Sequence, residues 1–117
     1  MIVLIGQWIR TLELQNLLWS EMTMLLRKLY KNGQILIPKK ITKTLGVENG
    51  FPLYIYNIND VIVIEKDNED KHLNQTTLRN GNITIPSELR KLLKLESGSL
   101  LKMEVNVDNK IYLRKTS

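Results

Sequence analysis

A chain of 117 residues with 43% hydrophobic and 25% charged residues is globular rather than disordered, and it has the length for one hydrophobic core. Cysteine is absent and histidine occurs once, which excludes a disulfide scaffold or thiolate site and leaves few ligands for a metal; no metal and no cofactor is expected. Seventeen Lys and Arg against twelve Asp and Glu leave a net charge of +5, an excess that solubilises a protein or meets an acidic partner and needs a site to mean more.

Residues 1–23 open the chain. Their apolar start, Met1-Ile-Val-Leu-Ile, is too short to span a bilayer, and Arg10, Glu13 and Glu21 follow, so neither a signal peptide nor a membrane segment is expected. Trp8, Ile9, Leu12, Leu17, Leu18 and Trp19 fit one face of a helical extension. Its polar face lacks the Lys/Arg cluster of a membrane-surface helix, which favours packing or homodimerisation. Met22 and Met24 leave open a functional start near Met24.

From Leu25 the local signals sharpen. Leu25 and Leu29, flanked by basic residues, precede Asn32-Gly33, a pair that tolerates the positive φ angles of a hairpin turn. Ile35 and Ile37 alternate as in a half-buried strand, and Pro38, which has no amide hydrogen for a ladder, ends it and suits the first turn of a helix. Ile41 and Leu45 then share a helix face, and Gly46 supplies a stop. Alternation returns with Leu53 and Ile55, a turn falls at residues 57–60, and a last strand covers Val61–Ile64.

The polar stretch 67–77 has no apolar period and reads as a connection, with a reach of at most about 40 Å. His72 within it has no ligand-like neighbours and reads as a solvated residue.

After the connection the first pattern recurs. Asn80-Gly-Asn-Ile-Thr-Ile-Pro86 repeats Asn32-Gly-Gln-Ile-Leu-Ile-Pro38, and residues 32–55 laid over 80–103 without a gap give ten identities in 24 positions. One extra residue then restores the match, setting Ile62, Ile64 and Lys66 against Ile111, Leu113 and Lys115. This is an internal repeat. Its second copy places Ile83 and Ile85 in a strand, Leu89 and Leu93 on a short helix, Lys94 where the first copy has Gly46, and Leu101, Met103 and Val105 in the next strand. A turn at Asp108-Asn109 leads to Ile111–Leu113. Each copy has about 40 residues, too few to bury a sufficient core alone, so the two copies are expected to complete one another. The expected domains are an extension 1–23, a first repeat 24–66, the connection 67–77 and a second repeat 78–117, the repeats together forming one barrel.

The segment Leu29-Tyr-Lys-Asn-Gly-Gln-Ile-Leu-Ile-Pro-Lys-Lys-Ile-Thr-Lys-Thr-Leu-Gly-Val-Glu-Asn-Gly50 resembles the AbrB/SpoVT family of swapped-hairpin transcription factors, and Leu78 to Gly98 resembles it again. The ordered set, occurring twice, carries the resemblance; a single Gly-x-Ile-x-Ile-Pro would not. It implies a mainly β fold with short helices, a swapped-hairpin β-barrel that binds duplex DNA through basic residues on one face. The family's contact positions fall on Arg27, with Lys28 beside it, on Thr42 and Lys43 in the first helix, and on Arg90 and Lys91 in the second. Gln34 and Asn82 stand where the family has a basic residue after the turn glycine, and Gln75 or Thr76 stands at the place of Arg27. With the nearby Lys31, Lys39 and Arg79, the candidate DNA-contacting set is Arg27, Lys28, Lys31, Gln34, Lys39, Lys43, Arg79, Asn82, Arg90 and Lys91. Cations of this kind neutralise phosphates, while the amides can donate to phosphates or base edges. Gly33, Gly81, Pro38 and Pro86 read as scaffold.

The resemblance implies a cytoplasmic transcriptional regulator. The same barrel also serves antitoxins that hold a toxin partner and regulate their own synthesis on DNA. Those use an extended acidic tail; here the second repeat runs to Lys115, which leaves residues 1–23 as the interaction segment for that reading. Tandem regulators of the MraZ type carry Asp-x-x-x-Arg after the proline, which Lys40-Ile-Thr-Lys-Thr44 does not supply. An enzyme is not expected, since cysteine, a catalytic histidine and paired carboxylates are all wanting.

Overall fold

The computed structural model describes residues 24–116; the expected N-terminal helix lies outside them. The first segment runs β1 (Leu25–Lys28), β2 (Gln34–Leu36), α1 (Lys39–Leu45), β3 (Pro52–Ile58) and β4 (Val61–Glu65). The second runs β5 (Gln75–Thr77), β6 (Asn82–Thr84), α2 (Ser87–Leu92), β7 (Leu100–Val105) and β8 (Ile111–Lys115). The fold is mainly β with short helices, a small β-barrel.

Strand partners cross between the segments. The main sheet has the order β1-β7-β8-β4-β3-β5, and β2 and β6 form a separate two-stranded ribbon. β1 pairs with β7 of the second segment, and β5 pairs with β3 of the first. At the ribbon's centre Ile35 lies opposite Ile83, and at the sheet's centre Val63 lies opposite Tyr112. Both pairs join positions that the sequence alignment makes equivalent, so an approximate two-fold axis relates the segments. The loop contacts obey it: Leu29 and Gly98 exchange main-chain bonds around Ser99, as Leu78 and Gly50 do around Phe51.

The inward positions of the alternating strands make one core. Ile35, Ile41, Leu53, Ile55 and Ile64 from the first segment meet Ile83, Ile85, Leu101, Met103 and Ile111 from the second, each at most 1% exposed. Burying such a side chain contributes about 1.5–3 kcal/mol, and each segment supplies only about half of the buried set. Neither half is covered without the other.

Local chemistry explains the ends of the elements. Pro38 and Pro86 sit just ahead of their helices, with ψ 147° and 144°, rather than within the first turn. Their carbonyls accept from Thr42 and Arg90. At the far end Gly46 adopts φ 71°, and its equivalent Lys94 takes φ 56° without being glycine. The hairpin turns differ. Asn80 and Gly81 both have positive φ and form a two-residue turn closed by paired bonds between Arg79 and Asn82, whereas in the first segment only Gly33 is left-handed, after a turn in which its N–H donates to the Tyr30 carbonyl. The additional residue in the first turn accounts for the difference.

The connection 67–77 is not wholly irregular, since its last three residues are β5. Main-chain pairing to β3 and the Thr76 hydroxyl, which donates to the Thr84 carbonyl at 2.9 Å and accepts from its N–H at 3.0 Å, hold this polar strand without an apolar stripe. His72 is exposed, as expected.

Candidate nucleic-acid interface

Each short helix begins beside the hairpin turn of the opposite segment. Ile85 N–H donates to the Gly33 carbonyl and Ile37 N–H to the Gly81 carbonyl, both at 2.8 Å. Around the first junction stand Arg90 and Lys91 of α2 with Lys31 of the first turn. At the second, Lys39 and Lys43 of α1 line a cleft with Asn80 and Gly81, next to Arg79. Two basic groups thus flank the ribbon, each built from one segment's helix and the other segment's turn. Lys28, Lys31, Lys39, Lys43, Arg79 and Lys91 are exposed.

Between these groups lies the outer face of the ribbon. Ile35 and Ile83 point inward, so period-2 alternation turns Gln34, Leu36, Asn82 and Thr84 outward. Gln34 faces Thr84 across the ribbon, and Leu36 faces Asn82. Leu36 and Thr84 were not among the expected contact residues. The alternation around Ile35 and Ile83 was the available signal for them.

Three of the expected positions are less open than their neighbours. Arg27 and Lys28 are neighbours in a strand and project to opposite faces; Arg27 follows Leu25 toward the interior and its Nε is buried with no hydrogen-bond partner, while Lys28 is exposed. Thr42 is buried, its hydroxyl donating to the Lys39 carbonyl at 2.9 Å, so of the two family positions on α1 only Lys43 offers an outward group. Arg90 is half-buried: its Nε donates to the Ile85 carbonyl at 2.9 Å, and a Cβ at Gly33 would lie 2.5 Å from that nitrogen. The guanidinium therefore lies flat over the first turn. At the place of Arg27 in the second segment stands Thr76, opposite Leu53 as Arg27 is opposite Leu101.

The one buried carboxylate among the described residues is away from this face. Glu65, 5% exposed, accepts from the Tyr56 hydroxyl at 2.7 Å and from the Asn68 amide at 2.8 Å, and pairs with Lys110 at 3.4 Å. Burial pushes its pKa up, but the bonds from Tyr56, Asn68 and Lys110 outweigh that and hold it below its ordinary value. Burial and the bond to Glu65 push the Tyr56 hydroxyl up to about 12. Burial and the bond to Asp108 likewise raise Tyr112. The cluster ties β3, the connection and the β7–β8 turn together. No group of three or more metal-ligating side chains occurs among the described residues, and no helix there is long and apolar enough to cross a membrane.

Comparison with known proteins bears on the second segment. No curated protein matches the chain. Among solved structures it is similar to the solution structure of PHS018 from Pyrococcus horikoshii, with 16% identity over 81% of this chain and 92% of that one and a TM-score of 0.48. Residues 77–117, from the end of β5 through β8, match the family described as antidote-toxin recognition MazE, bacterial antitoxin.

Proposed function

We propose that the chain is a cytoplasmic, DNA-binding transcriptional regulator of AbrB type, a binding module rather than an enzyme. Residues 24–66 and 78–117 serve as tandem repeats of one barrel, joined by the connection 67–77. The observation that carries this reading is the pair of basic groups flanking the ribbon, Arg90, Lys91 and Lys31 on one side and Lys39, Lys43 and Arg79 on the other. Lysines and arginines so placed neutralise phosphates and release condensed counterions, each contact contributing about 0.9 to the salt slope. Such contacts position the protein, and outward amides or hydroxyls on the ribbon reach base edges. Lys28 adds a cation beside Gly98. Arg27 is set apart from these groups, since it lies on the inward face of β1 with its Nε buried.

The MazE match over residues 77–117 favours a second reading, an antitoxin that holds a toxin partner and autoregulates on DNA. The two readings share the DNA interface and differ in the partner. Residues 1–23 are the segment through which a partner or a second copy would be held.

Titration of random-sequence duplex DNA at about 50 and about 200 mM salt tests the shared part. With five or so phosphate contacts the affinity should drop by roughly three powers of ten across that range. Absence of binding at the lower salt defeats the DNA reading. Recovery of one stoichiometric toxin-like protein with the chain decides for the antitoxin.

A further inference from the structure

The two-fold relation between the segments extends to the backbone but not to the side chains that the ribbon presents. In a barrel made of two identical chains, the outward pairs on either side of the axis would be the same. Here one pair is Gln34 with Thr84, a carboxamide and a hydroxyl, and the other is Leu36 with Asn82, an aliphatic group and a shorter carboxamide. Leu36 is 39% exposed, an apolar side chain held outward between polar ones. The Asn82 amide leans back on its own turn, donating to the Asn80 carbonyl at 3.4 Å.

The flanks are unlike in the same sense. Arg90 covers Gly33 at one end, whereas its equivalent Thr42 is buried and leaves the other end as an open cleft of about 600 Å³, floored by Leu36, Val47 and Leu78. Lys39 at that end has Ser87 as its equivalent. One turn has three loop residues and the other has two. Both outward positions of the ribbon, Gln34 against Asn82 and Leu36 against Thr84, therefore differ between the halves.

Resting on the DNA reading above, we infer that the outer face of the β2–β6 ribbon lies in the major groove and that the chain recognises a non-palindromic duplex site. A two-stranded ribbon has the width for that groove, and the basic groups at both ends meet the phosphates on either side. On one side of the axis the Gln34 carboxamide pairs with an adenine edge, with the Thr84 hydroxyl beside it. On the other, the Leu36 side chain packs on a thymine methyl next to a base bonded by Asn82. A single chain can do this because each half is encoded separately.

The test is selection of bound duplexes from a random pool by the full-length chain, followed by sequencing. A consensus lacking two-fold symmetry, in which single base changes weaken binding about fivefold to a hundredfold, supports the inference. A palindromic consensus, or binding without any consensus, overturns it while leaving the DNA reading intact. No binding of any duplex at low salt overturns both. The double variant Leu36→Thr/Asn82→Gln, which makes the two ends of the ribbon alike, should move the selected consensus toward a palindrome; an unmoved consensus in a folded variant overturns the assignment to these residues. Selection with the unaltered chain decides the asymmetry even if that variant does not fold.

Discussion

At the scale of single residues, neighbours in sequence have been given separate tasks. Arg90 and Lys91 look like one basic pair in the sequence, yet Arg90 is bonded to the Ile85 carbonyl and spread over Gly33 while Lys91 is exposed. Lys91→Ala should leave the melting temperature within about 1 °C and lower the salt slope of DNA binding by about one unit, whereas Arg90→Ala should also lose about 1–2 kcal/mol of stability. Denaturant melts and DNA titration of both variants check the division. Glu65 gives a pH prediction. Its folded pKa is depressed, so its contribution is present above the ordinary value of 4.5 and is lost as the pH falls through the folded value. Glu65→Gln should therefore be less stable than the parent by about 1–3 kcal/mol near pH 7, with the gap closing in acid below 4.5. A gap that persists in acid would show that packing rather than charge sets the difference.

At the scale of elements, the repeated turn-strand-proline-helix unit was legible because each step has a local cause. Asn-Gly permits the turn, two alternating isoleucines define a buried face, and proline ends the ladder. Ile41, Leu45 and Leu89 are buried as their spacing implies, and Leu93 packs partly against the core. β5 was less legible, because Gln75-Thr76-Thr77 has no apolar alternation and is held by main-chain pairing and one hydroxyl. The strand partners were not legible locally either, since nothing within Leu25–Lys28 specifies β7 rather than β3. The site divided in the same way. The basic residues of turns and helices stand out in sequence, but the inward turn of Arg27 and the outward turn of Leu36 become clear only with the strand faces assigned. One element carries a correctable strain. Lys94 occupies the left-handed position that Gly46 fills in α1, a conformation costing an L side chain about 1–2 kcal/mol. Lys94→Gly should raise stability by about 0.5–1 kcal/mol in a denaturant melt, less any loss of the bond that Lys115 makes to its carbonyl.

At the scale of the whole molecule, the crossed pairing lets one polypeptide supply what two chains would otherwise bring. The connection converts association into an intramolecular step with an effective concentration in the millimolar range, so the melting temperature of the full-length chain should stay constant over a hundredfold dilution. A melting temperature that falls on dilution would mean that the segments pair between chains. The sheet order carries one more consequence, for synthesis. β8 follows every other described strand in the chain, yet it lies between β7 and β4 near the middle of the sheet, and β1, the first strand described, waits for β7. The edge of β4, with Ile62 and Ile64, consequently stays unpaired until β8 has left the ribosome. Folding of the first segment during synthesis should therefore wait for the second, and a message truncated before Ile111 should yield a protease-sensitive fragment rather than a smaller working protein.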